Sequence, residues 1–290
     1  MVVIARHPLG YVANASSSGR RAGSHPLNRQ GAAMSIEADQ THASRARRTL
    51  LRNALLTGAA MMAPGTAAMA KDLRPASGVR GDVSKGTAQL TLGMVVFDGF
   101  QLLDVFGPLD MFGNLEGKVR IVILGERAGM VASSAGPAVA VDHALDAAPH
   151  IDILMVPGGM GTRREVGNTA LIASITRLAR SAPHVASICT GAALLARTGL
   201  LDGRRATTNK RAFNWVTTQG PKVEWVKQAR WVEDGHVFTS SGVSAGTDMA
   251  LALIAKLFGP DAAKQAADIA EYSWNADSTN DPFTAAIDAG

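Results

Sequence analysis

The single cysteine of this chain, Cys189, stands between two stretches of opposite character. Residues 185–188 (Val-Ala-Ser-Ile) form a short apolar run of strand type, and 192–201 hold Ala, Leu and Arg, which are strong helix formers. Thr190 and Gly191 supply the turn between them. A nucleophile on a sharp strand-to-helix turn is lifted off the sheet edge and lies beside the N–H groups that open the helix. The positive helix end favours a thiolate, the reactive form of cysteine, so the thiol is expected to titrate below the free value of about 8.5. Elsewhere a free cysteine is usually a small buried hydrophobe; its place at the turn favours the reactive reading. One cysteine excludes an intrachain disulfide framework.

The elements that must position Cys189 read as strands alternating with helices. Strands are expected at 89–97, 119–124, 151–156, 185–188, 205–208, 223–226, 230–232 and 236–239. Residues 130–141 alternate and contain Gly136-Pro137, as in a small side hairpin, and Asp234-Gly235 marks another hairpin turn. Helices are expected at 101–115 (broken or reoriented at Gly107-Pro108), 171–180, 192–201, 211–219, 248–258 and 260–272. This order implies a parallel sheet covered on both faces. Ser244 and Asp248 read as cap and dipole partners of the helix they open.

Charge divides the chain unevenly. The first 70 residues carry eight Arg and no Lys against Glu37 and Asp39, whereas 71–290 hold 21 basic and 22 acidic residues. The pI of 9.7 therefore belongs mostly to the leader, and no nucleic-acid partner follows from it. Residues 1–43 lack periodicity and are expected to be disordered, with Met34 an alternative start. After them come Arg47-Arg48-Thr49-Leu50-Leu51, an apolar stretch at 53–63 and Ala68-Met69-Ala70. A charged segment, an apolar segment and a small-x-small site make up an export signal, here of twin-arginine type. The apolar stretch is too short to span a membrane. Periplasmic location follows as an expectation. The domain organisation is then a leader and signal at 1–70, a linker at 71–87, an α/β domain at 88–272 and a polar tail at 273–290 that would not fold alone.

Five stretches together resemble the ThiJ/PfpI superfamily, over residues 89–272. They are Leu102-Leu103-Asp104-Val105-Phe106-Gly107-Pro108, Met155-Val156-Pro157-Gly158-Gly159, Ile188-Cys189-Thr190-Gly191-Ala192, the run 199–208 ending Ala206-Thr207-Thr208, and the run 240–248 ending Gly246-Thr247-Asp248. The resemblance implies the class I glutamine amidotransferase-like fold, a flavodoxin-like three-layer α/β sandwich with a nucleophile elbow at Cys189. Within the superfamily the chain looks most like isonitrile hydratases and the sensor domains of certain AraC-type regulators.

In isonitrile hydratases the acidic residue of the first motif partners the cysteine, which moves that role onto Asp104. Its apolar neighbours would desolvate it, and desolvation beside a thiolate would raise its pKa and keep it protonated to donate to the sulfur. Gly158 and Gly159 end a strand at the side where open α/β sheets bind ligands. The Gly159 and Thr190 N–H groups would together form an oxyanion-type hole, with the Thr190 hydroxyl free to hold substrate or water. Many relatives carry His-Trp after Ala-Thr-Thr; here Asn209-Lys210 stand instead. An amide orients groups but exchanges no proton near neutrality, which places Asn209 outside the proton chemistry. His143, His150, His184 and His236 read as surface or loop residues, so a Cys-His-acid hydrolase is disfavoured. Trp215, Trp225, Trp231 and Trp274 read as packing residues. No metal-ligand spacing, dinucleotide fingerprint or P-loop is present in the sequence.

Three functions follow from the resemblance. The first is a cofactor-free cysteine enzyme that hydrates an isonitrile to an N-substituted formamide through a thioimidate on Cys189. The second is a non-catalytic ligand- or stress-sensing module, although only some 18 residues follow Tyr272 where the regulators carry a helix-turn-helix region. The third is glyoxalase- or deglycase-like thiol chemistry. The expected partner is a small molecule, with no nucleic acid, no membrane after signal cleavage, and a homodimeric assembly as is common among relatives.

Overall fold

Apolar runs without polar alternation suit strands covered on both faces, and they form the middle of the sheet. The structure is a computed structural model and describes residues 89–287. The leader, the signal and the whole linker lie outside the described residues. The strands are β1 (Leu90–Val95), β2 (Val119–Gly125), β3 (Gly129–Ala132), β4 (Ala138–Val141), β5 (His143–Ala144), β6 (Ile153–Val156), β7 (His184–Ser187), β8 (Arg205–Ala206), β9 (Glu224–Trp225), β10 (Trp231–Asp234) and β11 (Val237–Ser240). The helices are α1 (Leu102–Gly113), α2 (Thr162–Glu165), α3 (Thr169–Ser181), α4 (Gly191–Arg197), α5 (Phe213–Thr217), α6 (Ala245–Phe258) and α7 (Pro260–Ile269).

Seven strands form the main sheet in the order β10-β11-β7-β6-β1-β2-β5. Every pairing in it is parallel except the β10–β11 hairpin. The fold is therefore the expected flavodoxin-like α/β arrangement. Helices α1, α6 and α7 pack together in one group, and α2, α3, α4 and α5 in another. Leu92, Met94, Ile153, Leu154, Met155, Val185 and Ala186 have no exposed surface and are the centre of the core. Each large apolar side chain so buried contributes about 1.5–3 kcal/mol.

The strand order sets the site. From β1 the chain moves to β2 on one side, then returns to β6 and β7 on the other, so the order reverses between β1 and β6. Ligands of open α/β sheets bind beyond the strand ends at such a reversal. Gly158 and Cys189 lie just after the ends of β6 and β7, and Asp104 lies in the first turn of α1, the helix that follows β1.

Several boundaries differ from the sequence reading. Helix α1 runs unbroken through Gly107 and Pro108; the glycine lets α6 come close, since a Cβ there would stand 2.4 Å from Thr247 Oγ1. The strands near 205–208 and 223–226 shrink to β8 and β9, which pair with each other outside the main sheet. The expected side hairpin is present as β3–β4. Ser244 occupies the N-cap position of α6 without a side-chain capping bond. Asp248 does lie in the first turn of α6, but fully buried and paired with Arg230 (Nε to Oδ2 2.7 Å). Residues 273–287 do not leave the domain: Asp281 and Ile287 are buried against it. A polar composition hid this, because the tail is held by backbone hydrogen bonds such as Arg230 N–H to Ser278 O (2.8 Å).

Candidate active site

Cys189 adopts φ 56°, a left-handed conformation that costs a non-glycine residue about 1–3 kcal/mol. Its neighbours over-determine that geometry. The Cys189 N–H donates to Ser241 O (3.0 Å), and its carbonyl accepts from Thr208 Oγ1 (2.8 Å). Gly191 completes the turn, because a Cβ there would lie 2.2 Å from Val156 O. The strained elbow is thus clamped from β11 and from the loop after β8, and α4 begins directly behind it.

The sulfur is surrounded by donors. Asn209 Nδ2 approaches Sγ at 3.2 Å, and the backbone N–H groups of Thr190 and Val243 also favour its thiolate form. Asn209 Oδ1 accepts from the Ala212 N–H (3.0 Å), which fixes the amide with its NH2 toward the sulfur. The sequence reading left Asn209 to orient groups outside the proton chemistry; the structure puts its amide against the nucleophile. Even so, burial pushes the Cys189 thiol above its ordinary value, and the Asp104 charge pushes it further. The low-pKa thiolate expected from the helix end is not what the site builds. Desolvation outweighs the donors, and α4 is only seven residues long.

Asp104 is fully buried on the inner side of α1. Its Oδ2 accepts from the Gly158 N–H (2.8 Å), whereas Oδ1 has no partner. Burial raises its pKa from 3.8 to about 7, against smaller lowering effects of the Gly158 N–H and the neighbouring Cys189 thiol. The thiol acts here by proximity, since no well-aligned hydrogen bond to it satisfies Oδ1. Gly158 is needed for this approach: a Cβ would stand 2.5 Å from Thr190 N and 2.9 Å from Asp104 Oδ2. Near neutral pH the pair therefore passes from two protons to one, with the remaining proton on sulfur.

The oxyanion hole read from the sequence is not preformed. The Gly159 N–H donates to Thr190 Oγ1 (3.0 Å), and Thr162 Oγ1 donates to the same hydroxyl (3.0 Å). That hydroxyl is spent on tying β6, α2 and the elbow together. The Thr190 N–H serves the sulfur.

A cavity of about 230 Å³ opens onto Cys189, Gly159, Thr190 and Asn209. Gln101, Met160, Arg163, Arg211, Ala212 and Val243 complete its walls, and none of these was singled out from the sequence. Val243 lies inside the 240–248 stretch, so the signal was present without pointing to its backbone N–H. None of the four histidines lines the cavity. His184 sits at the start of β7, the opposite end from Cys189. Of the tryptophans, Trp215 lies 4.6 Å beneath the Arg163 guanidinium, and Trp231 is core. Among the described residues no cluster of three or more His, Cys, Asp or Glu is placed to hold a metal ion. No helix among them is long and apolar enough to cross a membrane.

Residues 92–256 match the model of the DJ-1/PfpI family. The chain belongs to the DJ-1/PfpI family. The match includes both Asp104 and the elbow at Cys189. An isonitrile hydratase of Pseudomonas putida is 34% identical over 175 residues, covering 60% of this chain and 75% of that protein. The HTH-type transcriptional regulator CdhR of Pseudomonas aeruginosa is 36% identical over 146 residues, covering 50% of this chain and 43% of the regulator. Among solved structures, a ThiJ/PfpI family protein from Pseudomonas syringae superposes with a TM-score of 0.61 at 28% identity, over 75% of this chain and 94% of that one. This DJ-1/PfpI domain thus resembles both an enzyme and part of a regulator.

Proposed function

We propose that this chain is a cofactor-free, cysteine-dependent lyase that hydrates a small isonitrile to the N-substituted formamide. The observation that carries the reading is the buried pair of Cys189 and Asp104, with one carboxylate oxygen unpartnered. Above about pH 7 Asp104 is ionised while Cys189 keeps its proton. Asp104 takes that proton as Sγ bonds to the terminal carbon of R–N≡C, then delivers it to the same carbon, giving the thioimidate R–N=CH–S. Water adds to this carbon and its second proton goes to nitrogen. The C–S bond then breaks as C=O forms, and the hydroxyl proton returns through Asp104 to sulfur. The sum is one isonitrile and one water to one formamide. Asn209, Thr190 and Val243 steady the negative charge that reaches sulfur at each bond change.

Incubation with small isonitriles should yield the formamide by mass spectrometry, and Cys189→Ala should yield none. Formamide formation independent of Cys189, or none from any isonitrile, would sink the proposal. Turnover of 2-oxoaldehydes in its place would favour glyoxalase-like chemistry. A second reading, a ligand-sensing domain, is supported by the likeness to CdhR and by Asn209 standing where a base would be. It predicts saturable binding of a small molecule with no product. We further propose export by the twin-arginine route with a mature N-terminus near Lys71, and a homodimer. N-terminal sequencing of periplasmic protein and light scattering check the two; an intact leader on cytoplasmic protein, or a monomer, would refute them.

A further inference from the structure

The tail that follows Tyr272 comes back toward the Cys189 end of the domain and is fastened there. Asp281 N–H donates to Gln228 O (2.8 Å), Gln228 Nε2 to Asn280 Oδ1 (2.7 Å), and Asn214 Nδ2 to Ile287 O (3.3 Å). Asp281 is also the charge that acts on Lys210, the residue next to Asn209. Lys210 is itself buried, with its Nζ on Thr207 Oγ1 (2.9 Å) and Ala229 O (2.6 Å). The strap is therefore tied to the loop that presents Asn209 to the sulfur.

Phe283 and Ala286 of this strap form part of a second cavity, of about 310 Å³. Leu103 and Val243 supply the facing apolar surface. Phe283 is 61% exposed and Leu103 44%, so large apolar side chains here face open space. This cavity borders the one over Cys189, because Asn209, Arg211 and Val243 line both. A concave, mostly apolar chamber beside a reacting atom is suited to the part of a ligand that does not react.

We propose that this chamber is the subsite for an apolar substituent of the molecule that reacts at Cys189, and that Phe283 and Ala286 of the C-terminal strap set its size. It rests on the proposed function and deepens it by giving the substrate a class: an isonitrile whose nitrogen carries a compact aryl or alkyl group. A substrate placed this way puts its reacting carbon at the sulfur and its substituent between Leu103 and Phe283. Arg211, which lines both cavities, is exposed.

The test uses alkylation, which does not depend on isonitrile turnover. The rates at which iodoacetamide and N-benzyl-iodoacetamide modify Cys189 are measured by intact mass on the full chain, and their ratio is divided by the same ratio for glutathione. The expected preference for the benzyl probe is on the order of tenfold, the discrimination an apolar pocket gives. Ala286→Trp, which fills the chamber, and Phe283→Ala, a change at an exposed side chain, should each bring the ratio down toward that of glutathione. No preference in the unaltered protein, or a preference that survives both substitutions, would overturn the subsite. A lost formamide activity with the preference intact would refute the hydratase reading alone.

Discussion

Two carboxylates in this domain are completely buried, and the fold treats them in opposite ways. Asp248 has every oxygen engaged: Oδ2 accepts from Arg230 Nε (2.7 Å), and Oδ1 accepts from Tyr272 OH (3.0 Å) and the Asn275 N–H (3.0 Å). Asp104 has one bond, from Gly158, and an orphan Oδ1. A buried charge that is paired and hydrogen-bonded on all sides holds elements together, here α6, β10 and the start of the strap. A buried carboxyl left half-satisfied destabilises the fold and persists where a proton must move. The contrast separates the residue that builds the domain from the one that works in it.

Substitutions should split along the same line. Asp104→Asn keeps shape and removes proton exchange, so formamide formation should fall by about 10²–10⁴-fold in kcat. Its stability should change in a pH-dependent way. Folding raises the Asp104 pKa from 3.8 to about 7, so its contribution is fully present below 3.8 and is lost as pH climbs through about 7. Melting temperatures across that window should decline less steeply in Asp104→Asn than in the parent. A parallel decline would break the comparison.

Arg230→Ala should do the reverse. Removing one member of a buried ion pair typically costs about 3–5 kcal/mol, which denaturant unfolding will read, while any protein that remains folded should alkylate at Cys189 normally. An Arg230 variant as stable as the parent would mean that Asp248 is not the structural carboxylate described. Asn209→Ala should have the smallest effect. Losing one hydrogen bond to sulfur, worth about 0.5–1.5 kcal/mol, should slow turnover by about two- to tenfold. A loss as large as that of Asp104→Asn would move Asn209 into the proton chemistry.

Much of this was legible in the sequence, for reasons that can be located. The apolar runs of β1, β6 and β7 have only one environment that suits them, a sheet buried on both faces, and the strand-to-helix change at Cys189 announced the elbow. What sequence could not give was the balance of forces at a point. The helix-end argument predicts a low thiol pKa, yet the depth of Cys189 and the approach of Asp104 reverse the sign. The Gly159 and Thr190 N–H groups were read as donors toward a substrate, but the first donates to the Thr190 hydroxyl and the second serves the sulfur. The polar strap showed no periodicity because specific hydrogen bonds, not an amphipathic face, attach it. By type Asn209 could be read only as orienting groups, and its distance to sulfur shows which group it touches.

The central claim is that Asp104 and Cys189 form one coupled proton-holding unit. The most direct test is the pH dependence of Cys189 alkylation in the parent and in Asp104→Asn. The Asp104 charge raises the thiol pKa, so removing it should move the thiolate midpoint to lower pH in the variant. A midpoint that stays in place, or moves upward, would contradict the account.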